Sequence, residues 1–97
     1  MKAKKYVVTL TDEYASYIVY DMLDLYNKTF ETLNEAREFM KQAAKEIKMK
    51  VKGCDRYKAD LEENTITVDI EKYCVDPKTL EEEYCGLADS RYICGKY

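Results

Sequence analysis

The sequence predicts an α+β domain in which an antiparallel sheet of four to five strands packs on one long amphipathic helix. Apolar residues recur at steps of three and four over residues 32–50, which is the period of a helix with one buried side. Runs of β-branched and aromatic residues flank this stretch, and their short connections favour antiparallel pairing. The predicted order is β-β-β-α-β-β-α, and residues 1–97 are long enough for a single domain with one core.

The long helix has a predicted start as well as a predicted buried side. Thr32 is followed three residues later by Glu35, which is the spacing of a capping box. In that motif the hydroxyl accepts a backbone N–H and the carboxylate reaches back to the cap. The residues expected to face the sheet are Leu33, Ala36, Phe39, Met40, Ala43, Ala44 and Ile47.

Three strands are predicted before the helix, at residues 5–10, at residues 16–23, and at Thr29 and Phe30. The first two would pair as a hairpin. We place a strand at the second position because four successive residues there, 17–20, favour a pleated surface.

A competing interpretation makes residues 12–26 a helix. Thr11 or Asp12 would cap that helix, which would run through Tyr26. Its buried side would then hold Ala15, Ile18, Met22 and Leu25.

Two strands are predicted after the long helix, at residues 56–61 and 65–71, joined by a turn at residues 62–64. Asp76 before Pro77 is typical of a helix start and predicts a short helix to about Tyr84. The tail over residues 90–94 is a candidate edge strand.

Composition bears on function mainly through what it excludes. The chain has no histidine and therefore no imidazole for acid–base work or for activating a nucleophile. Pairs of carboxylates carry no specificity in a chain with nineteen acidic residues, so we predict no catalytic residues and no enzyme activity. No apolar run approaches the roughly 18 residues of a membrane span, and the N-terminus lacks a secretory signal. We expect a cytoplasmic monomer or homodimer that does not bind membranes.

The C-terminal third is acidic, since residues 61–97 carry four basic and nine acidic residues while residues 1–60 carry twelve and ten. The chain also has ten tyrosines, which either replace phenylalanine at half-buried positions or supply a recognition surface. The preferred hypothesis is a non-enzymatic protein-binding module that engages a basic surface. A small inhibitor encoded by a phage or mobile element, directed at a host nucleic-acid-handling or defence protein, would fit that description. The predicted partner-binding residues are Glu62, Glu63, Glu81, Glu82, Glu83, Tyr84, Asp89 and Tyr92.

A basic stretch in the middle of the chain supports an alternative, which is nucleic-acid or nucleotide binding through phosphate contacts. A solvated helix surface is the simpler interpretation of the same residues. The residues concerned are Lys45, Lys48, Lys50, Lys52, Arg56 and Lys58.

The four cysteines allow three interpretations: separate reduced thiols, one or two disulfides, or a zinc site that uses all four. No CxxC pair occurs, which counts against a zinc ribbon, yet each of the three glycines adjoins a cysteine. A zinc-stapled structural or interaction domain is therefore a further alternative. Its predicted metal ligands are Cys54, Cys74, Cys85 and Cys94.

Overall fold

One antiparallel sheet and a layer of helices make up the described part of the chain. The structure is a computed structural model and describes residues 3–13 and 17–95, with the backbone alone at residues 23–25. The strands lie in the order β2-β1-β3-β4, and every neighbouring pair is antiparallel. The predicted α+β class, with one long helix on a four-stranded sheet, is confirmed. In chain order the elements are β1 (Ala3–Asp12), α1 (Tyr17–Tyr26), β2 (Lys28–Phe30), α2 (Leu33–Lys52), α3 (Asp55–Asp60), β3 (Thr65–Val75) and β4 (Glu82–Gly95).

The sheet has one face covered by the helices and one open face. Alternate side chains of β1 and β3 are buried on the covered face, as the pleat of a strand requires. Within the described residues, no helix has the length and apolar character needed to cross a membrane. The buried apolar residues of the strands are Tyr6, Val8, Leu10, Ile66, Val68, Ile70 and Ile93.

The long helix α2 forms as predicted and continues to Lys52. The Thr32 hydroxyl oxygen accepts the backbone N–H of Glu35 at 3.2 Å, and the hydroxyl donates to the Glu35 carboxylate at 2.8 Å. Five of the seven residues expected to face the sheet are buried, while Leu33 and Phe39 are partly buried and pack against the core. Packing of this stripe on the sheet fixes the position of the helix layer.

The strand predicted at residues 16–23 is wrong, and a helix forms there, α1, as in the competing interpretation. The start proposed for that helix is also wrong, because Thr11 and Asp12, its predicted caps, belong to β1 and pair with β3. Ser16 and Ala15 lie outside the described residues. Ile18, Met22 and Tyr26, at steps of four, are buried together. The Asp60 carboxylate also accepts the Tyr17 backbone N–H at 3.2 Å, at the start of the helix. Tertiary packing of one helical stripe therefore outweighs the local preference for a strand.

The strand predicted at residues 56–61 is also wrong, because α3 occupies most of this stretch. Tyr57 and Leu61, four residues apart, turn towards the rest of the protein, and the Tyr57 hydroxyl donates to Asp21 at 2.9 Å. A spacing of four suits a helix, since it keeps two side chains on one side.

The short helix predicted after Asp76 is reduced to a single turn. Asp76 caps that turn, because its carboxylate accepts the Lys78 N–H at 2.8 Å and its carbonyl accepts the Leu80 N–H at 2.8 Å. Leu80 then adopts a left-handed conformation with φ 62°, which ends the turn. From Glu82 onward the chain pairs with β3, so the predicted edge strand at residues 90–94 is the end of the much longer β4.

Candidate functional site

The hairpin of β3 and β4 extends beyond the covering helices and forms a projection that we call the β3–β4 arm, residues 71–87. Ile70 is the last buried residue of β3, and Ile93 is the first buried residue of β4. The molecule measures 49 by 23 by 22 Å, and its two longest strands are β3 and β4, with 11 and 14 residues. β1 runs beside the β3 strand of the arm along its whole length, from Val7 opposite Glu71 to Ala3 opposite Val75. The arm is therefore a continuation of the sheet, but few buried side chains lie beneath it.

Two tyrosines pack against each other across the arm. The rings of Tyr73 and Tyr84 meet edge to face, with centroids 5.5 Å apart. The Tyr73 hydroxyl donates to the Glu71 carboxylate at 2.7 Å, and this hydrogen bond is the main reason that the pKa of Tyr73 is raised. The Lys5 ammonium lies 5.7 Å from the centre of the Tyr73 ring, and it forms an ion pair with the Glu82 carboxylate at 2.5 Å. These contacts hold Tyr73 in place, while Tyr84 stays 55% exposed.

Two leucines add apolar surface to the same arm. Leu80 at the tip is 74% exposed, and Leu87 at the base is 56% exposed. The left-handed conformation of Leu80 costs a residue with a side chain roughly 1–2 kcal/mol. Sequence reasoning missed both residues. The available signal was Leu80, an apolar residue among the polar residues that follow Pro77. The helix predicted for this stretch gave no reason to expect that it is exposed.

The arm is acidic as well as apolar. Residues 71–87 carry five acidic and two basic residues. Among the predicted partner-binding residues, Glu81, Glu82, Glu83 and Tyr84 are all exposed here and follow one another along the chain. The structure therefore brings half of the predicted set onto one arm.

The other half of the predicted set lies elsewhere. Glu62 and Glu63 occupy the turn before β3, about 30 Å from the arm tip given a rise of about 3.3 Å per residue. Asp89 points to the helix side and accepts a hydrogen bond from Arg37 at 3.1 Å. Tyr92 is exposed on the open face, and its hydroxyl donates to the Gly95 carbonyl at 2.9 Å. These four residues do not extend the surface formed by the arm.

A row of polar side chains crosses the open face of the sheet. The Asp69 carboxylate accepts the Ser90 hydroxyl at 2.5 Å and the Thr11 hydroxyl at 3.3 Å. The hydroxyl groups of Thr11 and Thr67 also hydrogen-bond to each other. These groups satisfy one another across three strands, which is a structural role for polar residues on a sheet.

The basic stretch is divided by the fold. Lys45, Lys48 and Lys52 lie on one exposed side of α2, spread over about 10 Å of helix axis at 1.5 Å per residue. Across the described part of the chain, no carboxylate lies within ion-pair distance of these three. Lys50 is exposed but out of step with this row.

Two of the predicted basic residues are occupied by local contacts. The Arg56 guanidinium stacks 3.9 Å from the centre of the Tyr17 ring. The Lys58 ammonium lies 3.8 Å from the Asp55 carboxylate. The candidate phosphate-binding row is therefore limited to the three lysines of α2.

The four cysteines predicted as zinc ligands do not converge. Cys74 and Cys85 meet on the arm, with sulfur atoms 2.7 Å apart. Cys94 pairs with Ile66, which is about 26 Å from Cys74 along β3 at 3.3 Å per residue. Cys54 lies at the start of α3. Burial raises the pKa of the Cys94 thiol, although the nearby Lys48 ammonium acts in the opposite direction. Among the side chains that the structure describes, no three cysteines or carboxylates are grouped so as to hold a metal ion.

Comparison of the chain with protein-family models, with curated proteins and with solved structures finds no match.

Proposed function

We propose that the chain is a non-enzymatic binding module whose β3–β4 arm engages a basic surface of a partner protein. The observation that carries this proposal is the exposure of Leu80, Tyr84 and Leu87 on an acidic arm that the helices do not cover. Scattered apolar residues are normal on a protein surface, but here three large ones lie on a single projecting hairpin.

The apolar residues supply the affinity in this proposal. Burying an exposed Leu or aromatic side chain contributes roughly 1.5–3 kcal/mol, and a few such anchors dominate most protein interfaces. Tyr84 is already oriented by its contact with Tyr73 and would lose little freedom on binding. β4 also forms an edge of the sheet, where a partner strand can add by main-chain hydrogen bonds.

The carboxylates determine which kind of partner is bound. Glu81 and Glu83 are exposed on the same arm, with Glu83 on the opposite face of β4 from Tyr84. A positive surface on the partner complements them. Surfaces of that kind belong to proteins that handle nucleic acid. An inhibitor encoded by a phage or mobile element would act by occupying such a surface.

Site-specific photo-crosslinking tests the proposal. A benzophenone amino acid replaces Tyr84 on the arm or, as the control, Tyr20, which is 85% exposed on α1. Each full-length variant is irradiated in lysate of the source cells, and the crosslinked product is identified. We expect a discrete product from position 84 alone, with a basic protein as the captured partner.

Charge reversal gives a matched control for the electrostatic part. E81K/E83K and E62K/E63K change the net charge by the same amount, but only the first pair lies on the arm. We expect E81K/E83K to abolish the crosslink at position 84 and E62K/E63K to leave it. Equal crosslinking from positions 84 and 20, or an equal response to the two reversals, would contradict the proposal.

The lysine row of α2 supports a second candidate function, which is contact with nucleic-acid phosphates. Lys45, Lys48 and Lys52 are exposed on one side and have no acidic partner among the described residues. Fluorescence anisotropy with a labelled duplex across a salt series measures this activity. Three neutralised phosphates predict a slope of log K against log salt of about −2.7, which K45E/K48E/K52E would remove. Tight, salt-dependent binding of the duplex would also contradict the proposal that the arm carries the function.

A further inference from the structure

We infer that Cys74 and Cys85 form a reversible thiol–disulfide site that low-molecular-weight disulfides such as oxidised glutathione close into a bridge across the β3–β4 arm. The two cysteines lie on the same arm as the partner contact proposed above, but the inference does not rest on that contact.

The placement of the two sulfur atoms carries the inference. They lie 2.7 Å apart, and a disulfide bond needs about 2.05 Å, so closure requires only a small shift of the side chains. The two cysteines stand on neighbouring antiparallel strands, eleven residues apart in sequence. Cys85 is exposed and Cys74 is half-buried, so a small reagent can reach the pair from solvent.

An irregularity in the strand pairing brings these residues together. Tyr73 pairs with Tyr84 and Lys72 with Gly86, so Cys85 is the extra residue of a β-bulge. Gly86 follows with φ 107°, a conformation that residues with a side chain rarely adopt. Cys74 itself pairs with Glu83, two residues before Cys85, so the two sulfur atoms meet diagonally across the ladder beside the bulge.

The reaction is a two-step thiol–disulfide exchange that balances without a metal or an electron carrier. The exposed Cys85 thiolate attacks one sulfur of oxidised glutathione, forms a mixed disulfide and releases one glutathione thiolate. The Cys74 thiolate then attacks the Cys85 sulfur and expels the second glutathione thiolate. Two protein thiols are oxidised to one disulfide, and one oxidised glutathione is reduced to two molecules of glutathione.

The neighbouring thiol affects the rate of the first step. The hydrogen bond between Cys85 and Cys74 is the main reason that the pKa of Cys85 is raised. Because the thiolate is the attacking form, closure is expected to accelerate as the pH rises above neutrality.

The test uses the full chain, reduced with a phosphine, desalted and incubated with defined ratios of oxidised to reduced glutathione. Trypsin then places each of the four cysteines in its own peptide, because it cleaves after Arg56, Lys78 and Arg91. We expect wild type and C54S/C94S to lose two thiols and to yield one linked pair, YCVDPK with TLEEEYCGLADSR. We expect C74S to retain a glutathione adduct on Cys85, since the resolving thiol is missing.

Several outcomes would overturn the inference. One is a lasting glutathione adduct on Cys85 in wild type while Cys74 stays free. Another is a linked pair that includes Cys54 or Cys94 in equal yield. As a control, the same oxidation in concentrated urea should scatter the pairing among all four cysteines, whereas the native yield of the Cys74–Cys85 pair should exceed every other pairing.

Discussion

Two glycines of β4 allow a matched test of how closely the strands pack. Gly95 and Gly86 both have positive φ, at 122° and 107°, so alanine at either position meets similar backbone strain, about 1–3 kcal/mol. They differ in the space around them. A Cβ on Gly95 would overlap the carbonyl oxygen of Asn64 and lie 2.8 Å from the Cα of Thr65, whereas a Cβ on Gly86 meets nothing within 4 Å.

The crowding at Gly95 sets the expected difference. Overpacking costs a further 1–3 kcal/mol or so, because Asn64 and Thr65 are buried and their backbone must shift. Gly95→Ala should therefore lower the free energy of unfolding by about 2 kcal/mol more than Gly86→Ala. With a slope of about 1.5 kcal/mol per molar urea, the two midpoints should differ by more than about 1 M. Urea titration followed by circular dichroism measures both. Equal midpoints would refute the close approach of β4 to the turn before β3.

Two further predictions concern the helix layer. Thr32→Ala removes the cap of α2 and should lower the unfolding free energy by about 1 kcal/mol in the same titration, whereas Asn34→Ala, exposed in the same turn, should have little effect. Burial, with the hydrogen bond to Glu46, raises the pKa of Tyr26, so its neutral form stabilises the fold below pH 10 or so and that contribution is lost as the pH rises further. Tyr26→Phe should therefore flatten the fall of the unfolding free energy between about pH 10 and 11, and an unchanged slope would show that Tyr26 is not the group responsible.

The long helix was predictable because several local signals agreed over twenty residues. The cap at Thr32, the apolar stripe and the polar opposite side all favour the same structure, and packing reinforces them. The opposite holds for α1, where residues 17–20 favour a strand locally. In α1 the burial of Ile18 and Met22 determines that a helix forms. The residues near them in the sequence contain no information about that tertiary contact.

The arm shows the same limit in the candidate site. Asp76 and Pro77 do start a turn, but cross-strand pairing with β3 takes over from Glu82 onward. Composition alone identified the acidic run before Tyr84. The exposure of Leu80 could not be predicted, because it depends on where the helices stop covering the sheet. Cys74 and Cys85 come together through the register of the β3–β4 hairpin. The sequence analysis placed a helix between them and so did not predict this pairing.

The arm breaks several local rules without a visible gain in stability. A leucine sits in a left-handed conformation at an exposed tip, a bulge interrupts the ladder, and large apolar side chains stay in water. Natural proteins concentrate such violations at functional sites, because binding supplies the free energy that folding does not. For that reason we assign the proposed binding function to the arm rather than to the long helix, whose apolar side is already committed to the sheet.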